Sequence, residues 1–254
     1  MAGHIDSFEG DSVAQGSKLP PIGAHSEIRE GETFVPALGF KSLTPFYDTV
    51  LGIATREAIW RAMLIEQVAP RSGETIVDVG CGTGTLAIML KRRAPGARVI
   101  GIDPDPAVLA IAARKAAQAG IDVDWQRGFA RSASEIVGPR SADKLVSSLL
   151  FHQVPVIEKR AGLASMFEAV RPGGEIHIAD YARQDGFVRK MLFSTIGMID
   201  GLANTRPNAG GLLEELLAEL TGATVRPTRV VPTITGAISL FACTPLAASE
   251  NGRK

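Results

Sequence analysis

The sequence has only two cysteines in 254 residues, Cys81 and Cys243, which excludes a disulfide framework and leaves no Cys-x-x-Cys pair for a metal. So few thiols suit a reducing cytoplasm, and no metal site is expected. Charge of neither sign is in excess, with 27 basic residues against 27 acidic ones, and no stripe of lysine and arginine runs along the chain. Without such a stripe little would displace the counterions of a phosphate backbone, so nucleic acid is not an expected partner. No run approaches the ~20 apolar residues that a bilayer crossing needs. The opening Met1-Ala2-Gly3-His4-Ile5-Asp6 has neither the basic nor the apolar region of a secretory signal, so a cytoplasmic protein without a membrane span is expected.

What is present points to one main α/β domain. Hydrophobic residues make up 45% of the chain, enough to bury a full core. Residues 1–34 are polar, rich in Gly, Ser and Glu, and broken by Leu19-Pro20-Pro21, so a flexible arm is expected there. The residues Phe46, Val50, Ile53, Ile59, Met63, Leu64 and Val68 recur at helical spacing and predict a helical cap. Short β-branched runs then alternate with helical patterns. Strands are predicted near 75–79, 98–102, 122–126, 144–148 and 175–180, and helices over 86–93, 107–118 and 157–170. Two late β-rich runs, 224–231 and 237–243, predict an antiparallel hairpin at the sheet edge, and further helices are expected over 187–202 and 212–221. The sum is an α/β fold with a Rossmann-like, seven-stranded, mostly parallel sheet and helices on both faces. The domain is expected to span 35–245, with a lid at about 181–211 and a disordered tail at 246–254.

Gly80, Gly82 and Gly84 follow the first strand and precede a helix. There the missing side chains let backbone amides and the helix N-terminus approach a polar, nucleoside-bearing ligand. The plainer alternative is a tight strand-to-helix turn with no ligand. A dinucleotide fingerprint, Gly-x-Gly-x-x-Gly, would require glycine at the position of Thr85. Asp103 ends the second strand 19 residues past Gly84, where a carboxylate can accept from both ribose hydroxyls. Asp105, in Asp103-Pro104-Asp105-Pro106, is the better candidate for capping the next helix.

These residues resemble class I S-adenosylmethionine-dependent methyltransferases. The resemblance is carried by Val77-Asp78-Val79-Gly80-Cys81-Gly82-Thr83-Gly84, by Gly101-Ile102-Asp103, by Ser147 to Pro155 and by Val170-Arg171-Pro172-Gly173-Gly174. The pair Tyr47-Asp48 resembles the small-molecule branch that includes ubiquinone and menaquinone biosynthesis methyltransferases. By position, the resemblance implies S-adenosylmethionine as cofactor. Asp78, Gly80, Cys81, Gly82, Thr83 and Gly84 would hold its methionine portion, and Asp103 with Pro104 its ribose. Gly128, Phe129 and Ala130 would flank the adenine, Ser148 would line the cofactor, and Tyr47 would close over it. Many relatives carry an Asp in the adenine segment where Phe129 and Ala130 stand here, so stacking and backbone contacts are implied instead.

Methyl transfer from a sulfonium is an in-line displacement with a neutral leaving group, so the enzyme must mainly align the reactants. His152, following the fourth strand, is the candidate general base where the acceptor loses a proton, and its alternative is a structural histidine. Phe46, His152, Asp180, Asp200 and Asn204 are the expected acceptor contacts, with Asp180 and Asp200 equally readable as turn or cap residues. Phe187, Met191, Phe193 and Met198 read as core. Methylation of nucleic-acid amino groups needs an Asn/Asp-Pro-Pro-aromatic motif where Ser148-Leu149-Leu150-Phe151 stands, and arsenic methylation needs more thiols. A small organic acceptor, methylated at carbon, oxygen or nitrogen, is what remains. Two other classes stay open: a non-catalytic cofactor-binding protein, and a nicotinamide-dependent oxidoreductase, which would need a Tyr-x-x-x-Lys pair that the chain lacks. The oligomeric state is not legible, and a homodimer remains open.

Overall fold

The computed structural model describes residues 56–184, 202–234 and 236–245. The expected arm, the tail, the helix over 187–202 and the site candidates Phe46, Tyr47 and Asp200 lie outside the described residues. The central apolar runs become strands buried on both faces, as parallel sheets covered by helices require, while the two edge strands stay partly exposed. The strands are β1 (Thr75–Val79), β2 (Arg98–Asp103), β3 (Asp124–Arg127), β4 (Ala142–Ser148) and β5 (Val170–Tyr181), followed by β6 (Arg229–Thr233) and β7 (Gly236–Cys243). The sheet order is β3-β2-β1-β4-β5-β7-β6. Links among β1 to β5 are parallel, whereas β5–β7 and β6–β7 are antiparallel. From β1 the chain builds one way through β2 and β3, then returns to place β4 on the other side. That reversal opens a crevice at the carboxyl ends of β1 and β4, where open α/β sheets bind ligands.

The strand period of two sends alternate residues to opposite faces. Ile76 of β1 packs with Trp60, Leu64 and Val68 of α1 (Glu57–Val68) and with Leu86 and Leu90 of α2 (Thr85–Arg93). Its neighbours Val77 and Val79 pack on the other face, with Leu163 and Met166 of α5 (Val156–Ala169) and Leu213, Leu216 and Leu217 of α7 (Leu212–Thr221). Fully burying each such side chain contributes about 1.5–3 kcal/mol. Between β2 and β3 runs α3 (Pro106–Gln118), with Pro106 at its start and the Asp105 carboxylate accepting from the Ala107 amide at 2.8 Å. Asp105 is thus the cap that the Asp-Pro-Asp-Pro stretch suggested.

The structure shifts several expected boundaries. β3 starts at Asp124, two residues late, because Ala119, Gly120 and Ile121 bond back to the end of α3 and use up the preceding turn. β6 covers only Arg229–Thr233, not 224–231, since Pro227 has no N–H to give a ladder and the chain is still leaving α7. A short α4 (Ala133–Val137) follows a 3₁₀ turn at Ala130–Ser132, and neither was expected. The polar stretch around Asn204 is a helix, α6 (Leu202–Gly210). It carries polar residues on its buried side, Thr205 and Asn208, so no apolar stripe marked it in the sequence. Among the described residues no helix is long and apolar enough to cross a membrane.

Candidate functional site

The glycine loop caps the carboxyl end of β1 and turns into α2. Gly80, Gly82 and Gly84 all have positive φ, at 73°, 52° and 74°, a region costly for residues with a Cβ. Their missing side chains serve different ends. A Cβ on Gly84 would stand 2.4 Å from the Trp125 ring and 2.8 Å from Ala112, so this glycine lets α2 seat against α3 and β3. A Cβ on Gly80 would meet Leu150 at 2.9 Å. A Cβ on Gly82 would meet no described residue within 4 Å, so among the described residues the loop borders open space here. The loop is braced from below by Lys115 of α3, whose ammonium donates to the Thr83 carbonyl at 2.9 Å and to the Thr85 hydroxyl at 2.7 Å.

Two carboxyl groups flank that space. Asp103 is held by the loop itself, accepting from the Gly82 amide at 2.9 Å on one oxygen and from the Asp105 amide at 3.0 Å on the other. Each oxygen keeps a further lone pair, as two ribose hydroxyls would use. Burial raises the Asp103 pKa above the ordinary carboxylate range, against the two amides that lower it. Asp78 is fully buried, and neither of its oxygens has a hydrogen-bond partner among the described residues. Burial pushes its pKa up to about 7, while the Arg61 guanidinium and the Ala87 amide pull it down from beyond hydrogen-bonding geometry. A buried carboxyl group without a donor is costly, and a bound cation or donor would relieve it.

Arg61 of α1 lies on the same side. It pairs with Glu57, sits 5.1 Å from the centre of the Trp60 ring, and leaves its Nε buried without a partner. Burial lowers its pKa, and its charge acts on both Asp78 and Lys115. The crevice therefore offers a cation, an unpartnered carboxyl group, glycine-loop amides and a second carboxylate, a donor set that fits an amino acid joined to a ribose. Cys81 contributes backbone only, since burial pushes its thiol pKa well up.

Toward the expected adenine side the residues divide. Phe129 lies under the Arg131 guanidinium, 4.2 Å from the ring centre, and offers an aromatic face at the end of β3. Gly128 is fixed by packing, because a Cβ there would strike Ile136 at 2.3 Å, and Ala130 packs on α5 at Gly162. Pro104 and Ser148 are half-buried at the strand ends, Ser148 opposite Ala179 of β5.

A second cluster lies at the ends of β4 and β5. After β4 the chain turns at Leu149, which has φ 54°, an uncommon conformation for a side-chain-bearing residue. The turn places His152 against Asp180, Nδ1 to Oδ1 at 2.7 Å, with the His152 ring edge-on to Tyr181 at 5.1 Å. Asp180 has no exposed surface and also accepts from the Phe151 amide at 2.6 Å and the Tyr181 amide at 2.7 Å. Its three bonds hold the turn after β4 and the His152 ring in place. Asn204 donates to the Gln153 carbonyl at 3.0 Å, and Asn208 to the Tyr181 carbonyl at 2.9 Å. Lys159 of α5, fully buried, donates to the Asn204 carbonyl at 2.7 Å and to the Asn208 side-chain oxygen at 2.8 Å. Burial lowers its pKa to about 8, with Asp180 as the opposing charge.

Sequence reasoning missed Arg61, Lys115, Trp125 and Lys159. Lys159 had a signal: it falls on the stripe of Leu163 and Met166 at spacings of four and three, a charged residue on a core-facing helix edge.

Residues 76–174 match the methyltransferase domain family. That stretch is a methyltransferase domain. A demethylmenaquinone methyltransferase of Thermus thermophilus is 32% identical over 145 residues, covering 56% of this chain and 64% of that protein. A ubiquinone biosynthesis O-methyltransferase of a Methylobacterium species is 37% identical over 109 residues, covering 41% of this chain and 40% of that protein. The chain thus spans less than two thirds of the length of these curated relatives. Among solved structures, geranyl diphosphate methyltransferase in complex with S-adenosylmethionine superposes with a TM-score of 0.60 at 18% identity, over 83% of this chain and 94% of that one. At that identity the likeness concerns the fold.

Proposed function

We propose that this methyltransferase domain transfers the methyl group of S-adenosylmethionine to a small organic acceptor, held between the glycine-loop crevice and the β4–β5 cluster. The reading rests above all on the buried, unpartnered Asp78 carboxyl group beside Gly82's open side. When bound, the cofactor supplies an electrophilic methyl on a sulfonium, which leaves as a neutral thioether. The chain's own contribution is to bind, orient and deprotonate.

Asp78 would take the cofactor's ammonium, and Arg61 its carboxylate, pairing two charges that burial otherwise penalises. Asp103 would accept from the ribose hydroxyls, and Phe129 would stack beside the adenine. Pro104, Gly128, Ala130 and Ser148 would form the wall around these contacts. His152 serves as general base: the Asp180 carboxylate accepts from Nδ1–H and so leaves the basic lone pair on Nε2. An acceptor O–H, N–H or acidic C–H gives that nitrogen its proton as the acceptor atom gains the methyl group. Of the expected lid, residues 185–201 lie outside the described residues, and residues 202–211, which include α6, would wall the acceptor space with Asn204 at the inner side.

Among acceptors, a hydroxylated or quinol-type ring comes first, because the two curated relatives are named for quinone biosynthesis. Incubating the full chain with the cofactor and panels of quinols, phenols and amines, and following adenosylhomocysteine release, tests this. Turnover on a small molecule that falls at least 100-fold in His152→Gln is expected. Methylation of macromolecules alone, or cofactor binding with no turnover on any acceptor, overturns the proposal.

A further inference from the structure

The His152–Asp180 pair has a feature that catalysis alone does not account for. A carboxylate bonded at 2.7 Å to a buried imidazole favours the imidazolium, and an imidazolium is no base. With both groups buried, a neutral imidazole beside the carboxylate leaves a net negative charge in a medium that penalises it. Among the described residues, the fully buried cation near this pair is Lys159, for which Asp180 is the opposing charge. Its ammonium makes no hydrogen bond to Asp180. It is held by the Asn204 carbonyl and the Asn208 side chain, both on α6.

We infer that Lys159 is a positioning residue for the His152–Asp180 pair, neutralising the buried carboxylate so that the imidazole stays uncharged, and doing so from a seat that α6 completes. This rests on His152 as the general base. With Lys159 charged, Asp180 ionised and His152 neutral, the cluster carries no net charge. Protonating His152 would then bury an uncompensated cation. Other charged or titratable groups lie around the cluster among the described residues. Tyr181 of β5 makes a T-shaped ring contact with His152, Glu158 of α5 is paired with Arg131 at 2.9 Å, and Arg183 and Arg206 are exposed. Asn208 matters as much as the lysine, because it accepts from Lys159 while donating to the Tyr181 carbonyl and so ties α6 to β5.

The test reads the imidazole itself and needs no acceptor. In ¹³C- and ¹⁵N-histidine-labelled full-length protein the His152 signals are assigned by their loss in His152→Gln, and their pH titration is compared in wild type, Lys159→Met and Lys159→Arg. Lys159→Met, which keeps most of the apolar stem, is expected to move the His152 protonation midpoint up by about one pH unit, and Lys159→Arg to restore it toward wild type. The acid limb of turnover should move with it, at little change in KM. Asn208→Ala gives a smaller shift in the same direction and remains informative if Lys159→Met fails to fold. An unmoved midpoint in folded Lys159→Met and Asn208→Ala overturns the inference. Should His152→Gln retain full turnover while the midpoint shifts as expected, the general-base reading falls and the electrostatic role of Lys159 stands.

Discussion

The two clusters at the carboxyl end of the sheet are built on opposite plans. Around Asp78, Gly82 and Asp103 the polar groups are backbone amides and carboxyl groups with capacity to spare, and Asp78 has no partner among the described residues. Around His152, Asp180 and Lys159 they bond one another, with three donors on Asp180 alone. The first arrangement costs stability until a ligand completes it. The second contributes stability and fixes the position of one histidine. Binding capacity in this fold thus resides where the chain leaves its own groups unsatisfied, and alignment resides where it satisfies them.

Asp180→Ala strands the Phe151 and Tyr181 amides and the His152 ring in the interior and should destabilise the protein by about 3–5 kcal/mol. Thermal or urea unfolding measures this, and a loss under about 1 kcal/mol would break the claim that this cluster holds the fold. Gly84→Ala sets a Cβ against Trp125 and Ala112 at positive φ and should cost roughly 2–4 kcal/mol. Gly82→Ala meets open space, so it should cost only about 1 kcal/mol yet weaken cofactor binding at least tenfold. Equal effects of the two substitutions on folding and on binding would erase the distinction between them.

Asp78 gives a prediction of opposite sign. Its pKa is raised to about 7, so between about pH 4 and 7 the folded chain keeps a proton that the unfolded chain has lost. Stability of the cofactor-free protein should therefore fall as pH rises through this window. Asp78→Asn should flatten that slope, raise cofactor-free stability at pH 8 by roughly 1–3 kcal/mol, and reduce cofactor affinity. Denaturant melts at several pH values decide it, and an Asn variant that loses stability would contradict the account.

What the sequence made legible follows the same division. The loop from Asp78 to Gly84 and the acid at Asp103 lie on consecutive βα units, so chain spacing alone set them together and the motif could be read. The positions of β1 to β5 and the terminal antiparallel strands were legible for the same reason, each resting on local periodicity. The second cluster draws on residues 152, 159, 180, 204 and 208, joined only by tertiary packing. His152 and Asp180 were visible as strand-end residues, but not as a pair. Lys159 was missed, because a lysine is seldom buried, and α6 was hidden by the polar residues that let it dock.

Calorimetric titration of the full chain with S-adenosylmethionine and, separately, with NAD decides whether the open cluster is a cofactor site. One S-adenosylmethionine should bind per chain, up to about tenfold tighter at pH 8 than at pH 6 as Asp78 ionises, with no heat of binding from NAD. Binding of NAD, or no binding of S-adenosylmethionine by folded protein, would contradict it.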